Sequence, residues 1–148
     1  MAFNLYQEWN QKRLPIINGI IYEDGSIQRM IITDKNKGRS VELGSKLHLK
    51  TLKDAEELFL VEIDILCTKI DDENMITVSC GDGGYGGEGY VAIETLDHGK
   101  IKWIAFFEES NPFERVEVVD NLIYAYNNLN EEWIFEINNP TNIVICSI

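Results

Sequence analysis

From residue 101 to the last residue, apolar side chains fall at every second position. Clusters of turn-forming residues interrupt this pattern about every ten residues. Ile101, Trp103, Ala105 and Phe107 would share one side of a strand. Ser110-Asn111-Pro112 would turn the chain into a short strand carrying Val116 and Val118. Asp120-Asn121 suits a tight hairpin turn, because both residues tolerate positive φ. Leu122, Tyr124 and Tyr126 continue on the far side, and Asn127-Asn128-Leu129-Asn130 turns again. Trp133, Phe135 and Ile137 line the next strand; Asn138 to Asn142 breaks it before a last strand from Ile143 to Ile148. A period of two means one buried face and one wet face, and short connections make neighbouring strands antiparallel. This half therefore predicts a β-meander.

The first half reads less uniformly. Asn4 to Arg13 predicts a short helix with Leu5 and Trp9 on one face, stopped by Pro15 and the β-branched residues after it. Ile20-Ile21-Tyr22 and Ile27 to Ile32 flank Glu23-Asp24-Gly25-Ser26, and Asp-Gly between apolar runs is a strong hairpin signal. Thr51 to Phe59 predicts a second helix, with Thr51 as N-cap, Asp54 at the reciprocal position and Leu52, Ala55 and Phe59 on one face. Val61, Ile63 and Ile65 then alternate with Glu62 and Asp64 as in a strand. The expected fold is α+β: a predominantly antiparallel β-sheet with a C-terminal meander and one or two short covering helices. Residues 1–148 should form a single globular domain, since no linker or repeat divides them.

Charge narrows the function classes. Residues 1–50 carry eight Lys/Arg and five Asp/Glu, residues 51–100 three and twelve, and residues 101–148 two and eight. The last two thirds thus hold −15 of a net −12, opposed by +3 in the first. Such a surface repels phosphate backbones and attracts cationic partners, so nucleic acid is not an expected ligand and a basic protein is. The N-terminal stretch from Met1 to Glu8 lacks the basic and apolar regions of a signal peptide, and no apolar run reaches membrane-spanning length. Cys67, Cys80 and Cys146 are odd in number, widely spaced and set in apolar runs, which reads as buried free thiols in a reducing compartment. Together these features predict a cytoplasmic protein with no membrane partner.

Gly81-Asp82-Gly83-Gly84-Tyr85-Gly86-Gly87-Glu88-Gly89 is the one unusual segment. It lacks the Gly-Lys-Ser/Thr of a phosphate loop, and the strand-like Tyr90 to Ile93 follows it instead of a helix. Asp82 and Glu88 would repel phosphate, and two carboxylates are too few for a calcium loop. A bent loop between two strands, tipped by Tyr85, is the reading left. Catalytic signals are sparse. His98 falls in a predicted turn, Leu96-Asp97-His98-Gly99, and His48 alternates with Leu47 and Leu49 as if pointing outward from a strand. No serine sits in a nucleophile elbow. No catalytic residue, metal ligand or cofactor is assigned.

The segments Gly-Gly-Tyr-Gly-Gly-Glu-Gly, Trp103-Ile104-Ala105-Phe106-Phe107 and Ser110-Asn111-Pro112-Phe113, in a small acidic chain, resemble the immunity proteins of bacterial polymorphic toxin systems. That resemblance implies a protein that neutralises a cognate toxin by binding it, often a basic nuclease whose site the acids would cover. On this reading the partner-binding residues are Glu62, Asp64, Asp71, Asp72, Glu73, Asp82, Tyr85 and Glu88. Acids also alternate along a strand at Glu132 and Glu136. The competing reading is a small-ligand binder or hydrolytic enzyme at the glycine-rich loop 81–89, which requires His98, Asp82, Glu88 and Cys80 to converge. A structural or homo-oligomeric domain is the third.

Overall fold

The computed structural model describes residues 4–35 and 38–148. Met1 to Phe3 of the N-terminal stretch lie outside the described residues. Helix α1 (Leu5–Asn10) leads into β1 (Arg13–Pro15), β2 (Gly19–Tyr22), β3 (Ser26–Lys35) and β4 (Gly38–His48). Helix α2 (Leu49–Asp54) precedes β5 (Leu60–Asp71), β6 (Ile76–Gly83), β7 (Gly89–Thr95) and β8 (Ile101–Phe107). The meander follows as β9 (Phe113–Val119), β10 (Leu122–Asn127), β11 (Glu131–Glu136) and β12 (Asn139–Ser147). One sheet has eight strands in the order β1-β5-β6-β7-β8-β2-β3-β4; the other has four, β12-β11-β10-β9. Every pairing is antiparallel.

The two sheets face each other across an aromatic core. Trp103 and Phe107 of β8 meet Phe113, Trp133 and Phe135 of the smaller sheet. Phe107 and Trp133 lie 5.2 Å apart at their ring centroids and Trp103 and Phe135 5.7 Å, normal spacings for interlocked rings. The Trp103 indole N–H donates to the Ile137 carbonyl at 2.8 Å, so its burial leaves no orphan donor. A second core lies on the opposite face of the large sheet. There Leu5 and Trp9 of α1 and Leu49 and Leu52 of α2 cover Tyr90, Ala92, Ile104 and Phe106. Strands β7 and β8 feed both cores by alternation. That explains why Tyr90 to Ile93 and Ile101 to Phe107 read as almost unbroken apolar runs.

The meander and the Asp-Gly hairpin form as the periodicity predicts. Ile20 pairs with Gln28 and Ile21 with Ile27 around Gly25 at φ +88°. Asp120 and Asn130 take φ +55° and +57° in the later turns. The helical part is slight: two six-residue helices serve as lids, so the α component of the expected α+β class is small. Five details differ from expectation. Strand β10 buries Ile123 and Ala125, so Leu122, Tyr124 and Tyr126 lie on its other, partly exposed face. Ile101 joins the second core, because the β7–β8 register shifts between Ile93 and Glu94 and turns it away from Trp103. Helix α1 ends at Asn10, where Lys12 at φ +58° redirects the chain into β1; Pro15 then sits in an edge strand, where no donor is missed. Helix α2 starts at Leu49, not Thr51. The His48 imidazole is its N-cap, Nδ1 accepting from the Lys50 N–H at 3.1 Å, and the start at Leu49 lets both Leu49 and Leu52 reach the core. The helix ends at Asp54, leaving Phe59 64% exposed. Finally, β12 begins at Asn139, taking in Pro140 at the sheet edge.

The sheets are also tied by a polar cluster. The Arg39 guanidinium grips Glu131 with two bonds, 2.9 Å from Nε and 2.7 Å from Nη2, and donates to the Glu109 carbonyl at 2.7 Å. Asn127 Nδ2 at 2.8 Å and the Trp133 indole N–H at 3.2 Å also donate to Glu131 Oε1. Burial alone would raise the Glu131 carboxyl; these donors outweigh it and hold the group below its ordinary value.

Candidate functional site

The glycine-rich segment is the end of one strand, a turn and the start of the next. Gly81 to Gly83 close β6, and Gly89 opens β7. A side chain at Gly81 would strike the Asp64 carbonyl across the ladder, so β5 and β6 can approach there only without one. Gly86, at φ +93°, makes the turn itself. Glu88 is 3% exposed; its Oε1 accepts from the Tyr85 N–H at 3.0 Å and its side chain lies against Gly83. Its carboxylate closes the turn from inside. Tyr85, by contrast, is 81% exposed at the tip. The Asn111 N–H donates to the Gly87 carbonyl at 2.8 Å, tying the turn to the loop before β9.

Beside this turn stand two carboxylates. Asp64 and Asp82 are direct cross-strand partners on β5 and β6, a like-charge juxtaposition that destabilises a ladder. Asp82 Oδ1 is shut off from solvent and meets no hydrogen-bond donor among the described residues. Burial, and then the charge of Asp64, pushes the Asp82 carboxyl above its ordinary value. Glu62 is exposed two residues before Asp64 and stands across from Arg13, whose guanidinium is already engaged by Glu8 and Gln11. The Tyr90 hydroxyl donates to the Asp64 backbone carbonyl at 3.0 Å, which anchors this part of β5. The result is a strand pair offering carboxylate oxygens that no cation pairs with among the described residues.

The structure brings Glu62, Asp64 and Asp82 together, with Tyr85 on the adjoining turn and Glu88 beneath it. Asp71, Asp72 and Glu73 lie at the other end of the β5–β6 hairpin, seven residues or roughly 23 Å along the strand. Asp71 is used there as a turn acceptor for Asn74, which in turn donates to the Asp120 carbonyl. The eight sequence-derived residues are therefore two separate clusters and one buried brace.

The convergence required by the enzymatic reading does not form. Cys80 is fully buried in the core between the sheets, and His98 is exposed beside Asp97 past the far end of β7 from Glu88. Among the described residues, no group of three His, Cys, Asp or Glu is arranged to hold a metal ion. A cleft of about 820 Å³, lined by Leu5, Asp24, His48, Lys50, His98 and Lys100 among others, opens at that far end. It gathers both histidines, which the sequence separates by fifty positions and so gave no sign of. The chemistry of His48 is spent on structure. His48 Nε2 bonds the Asp24 carbonyl at 2.9 Å while Nδ1 caps α2. The Asp24 carboxylate accepts from the Ser26 hydroxyl and N–H, which holds it below its ordinary value. Among the described residues, no helix is long and apolar enough to cross a membrane. Comparison with protein-family models, curated proteins and solved structures found no match.

Proposed function

We propose that this chain is an acidic protein-binding module that captures a cationic protein, acting in the cytoplasm as an immunity-type inhibitor of a basic toxin or effector. The Asp64–Asp82 pair carries the reading. Two carboxylates face each other across a ladder, and one oxygen is closed off without a donor. A lysine or arginine from a partner would pair with the exposed Asp64 carboxylate and offset the repulsion in one contact. Exposed Glu62 and Tyr85 flank the pair, one extending the negative field and the other offering an aromatic contact surface. The excess of acids over residues 51–148 would speed the encounter with such a partner and disfavour nucleic acid. The reading of loop 81–89 as an enzymatic or small-ligand site has less behind it, since its four groups are dispersed.

The test is capture from a lysate of the source organism with the native chain and with an Asp64→Asn/Asp82→Asn variant, at low and high salt. The native chain should retain one basic protein stoichiometrically, with retention falling at least tenfold in the double variant and at high salt. A partner held equally well by both chains would refute this site. A partner whose retention ignores salt would refute electrostatic capture.

A further inference from the structure

Cys67 and Cys80 were read from the sequence as separate buried thiols, but they are direct cross-strand partners in the β5–β6 ladder. Directly opposed residues of an antiparallel pair lie about 4.5–5.5 Å apart at Cα, inside the roughly 4.4–6.8 Å that a disulfide spans. Both side chains point to the same face: Cys80 belongs to the core between the sheets, and Cys67 packs against that core from its margin. Both thiols are free. Their exposure differs: Cys80 is fully buried, whereas Cys67 is half-buried on a strand whose register shifts between Ile65 and Cys67. Cys146 lies on β12 of the other sheet, opposite Glu132.

We infer that Cys67 and Cys80 form a redox-active dithiol, a site that a hydroperoxide converts into a cross-strand disulfide. Cys67 is the group an oxidant can reach. Its thiolate attacks one peroxide oxygen, the O–O bond breaks, and hydroxide leaves (water in the case of a protonated leaving group), giving a sulfenic acid at Cys67. The Cys80 sulfur then attacks the Cys67 sulfur; the S–O bond breaks, the oxygen departs as water with the Cys80 proton, and the S–S bond forms. Two thiols are oxidised by two electrons and one peroxide is reduced to two waters. Burial, followed by the neighbouring Cys67, pushes the Cys80 thiol far above its usual range, so it is inert toward reagents in solution. It reacts only through the sulfur beside it.

The test uses the full reduced chain, freed of reductant and titrated with hydrogen peroxide. Thiols are counted after denaturation and disulfides located by non-reducing peptide mapping. The titratable thiols should fall from three to one, with Cys146 unmodified and the Cys67 peptide joined to the Cys80 peptide at a mass two hydrogens lower. A Cys67→Ser chain should keep Cys80 as a free thiol through the same exposure. Over-oxidation of Cys67 with Cys80 still a free thiol would overturn the proposal. So would a disulfide between two chains, or three surviving thiols at a peroxide dose that oxidises the denatured chain. The mapping of the native protein decides the matter even where the variant folds poorly.

Discussion

Glu131 and Asp82 are two partly enclosed carboxylates in one small protein, and their surroundings drive them in opposite directions. Glu131 lies where β4 meets the smaller sheet, within reach of a guanidinium, an amide and an indole N–H, and is held below its ordinary value. Asp82 faces another carboxylate, has one oxygen without a donor, and is held above its ordinary value. Burial raises both; the difference lies in what burial is offset by. A carboxylate whose donors are all supplied by its own chain belongs to the architecture. One set against a second carboxylate leaves negative charge that a cation from elsewhere would offset.

Breaking the satisfied site should have the largest effect. Arg39→Ala leaves Glu131 enclosed without its main partner and should cost about 3 kcal/mol in urea-induced unfolding, in keeping with removal of one member of a buried pair. A loss under about 1 kcal/mol, the value for an exposed pair, would mean that the cluster does not hold the sheets together.

The pH dependence sharpens the contrast. A lowered folded-state value means that Glu131 contributes stability fully present above the ordinary carboxylate range and lost as pH falls through the lowered value. Asp82 has the opposite sign. Its raised value costs stability at neutral pH, and the cost is relieved as pH falls through that value toward the ordinary one. Thermal melts across the acid range should therefore show a shallower acid loss in Glu131→Gln than in the native chain. In Asp82→Asn the loss should be steeper, because the compensating uptake is gone. Parallel curves for all three proteins would dissolve the contrast.

The smallest expected effect is Asp82→Asn at neutral pH. Removing one of two opposed like charges should leave stability unchanged or raise it by up to about 1 kcal/mol. A clear loss on chemical denaturation would show that the carboxylate has a structural partner and would place it with Glu131.

Most of the meander was legible in the sequence, since side-chain alternation and turn chemistry are both local. Asp120, Asn130 and Gly25 turn the chain where their tolerance of positive φ predicts. The second helix was displaced because capping rules favoured Thr51. The imidazole of His48 does that work instead, and the anchor at Leu49 mattered more than an unbroken amphipathic face. The candidate site was half legible. Glu62, Asp64, Asp82 and Tyr85 were named without being placed beside one turn, and Asp71 to Glu73 were grouped with them by sequence proximity. An extended strand carries residues seven positions apart roughly 23 Å from each other, so nearness in sequence was the wrong measure.

What the sequence determined by itself was therefore most strands of the C-terminal meander, the buried faces of β8 and β11, and the turns between them. These follow from a period of two and from the φ preferences of single residues. What only the tertiary structure decided was which strands lie side by side and in what register. That lateral arrangement sets Asp64 against Asp82, Cys67 against Cys80, and Arg39 against Glu131 across ninety-two positions. The first two pairs follow from the turn and bulge of one hairpin, and the third from the packing of the two sheets, neither of which the alternation pattern encodes.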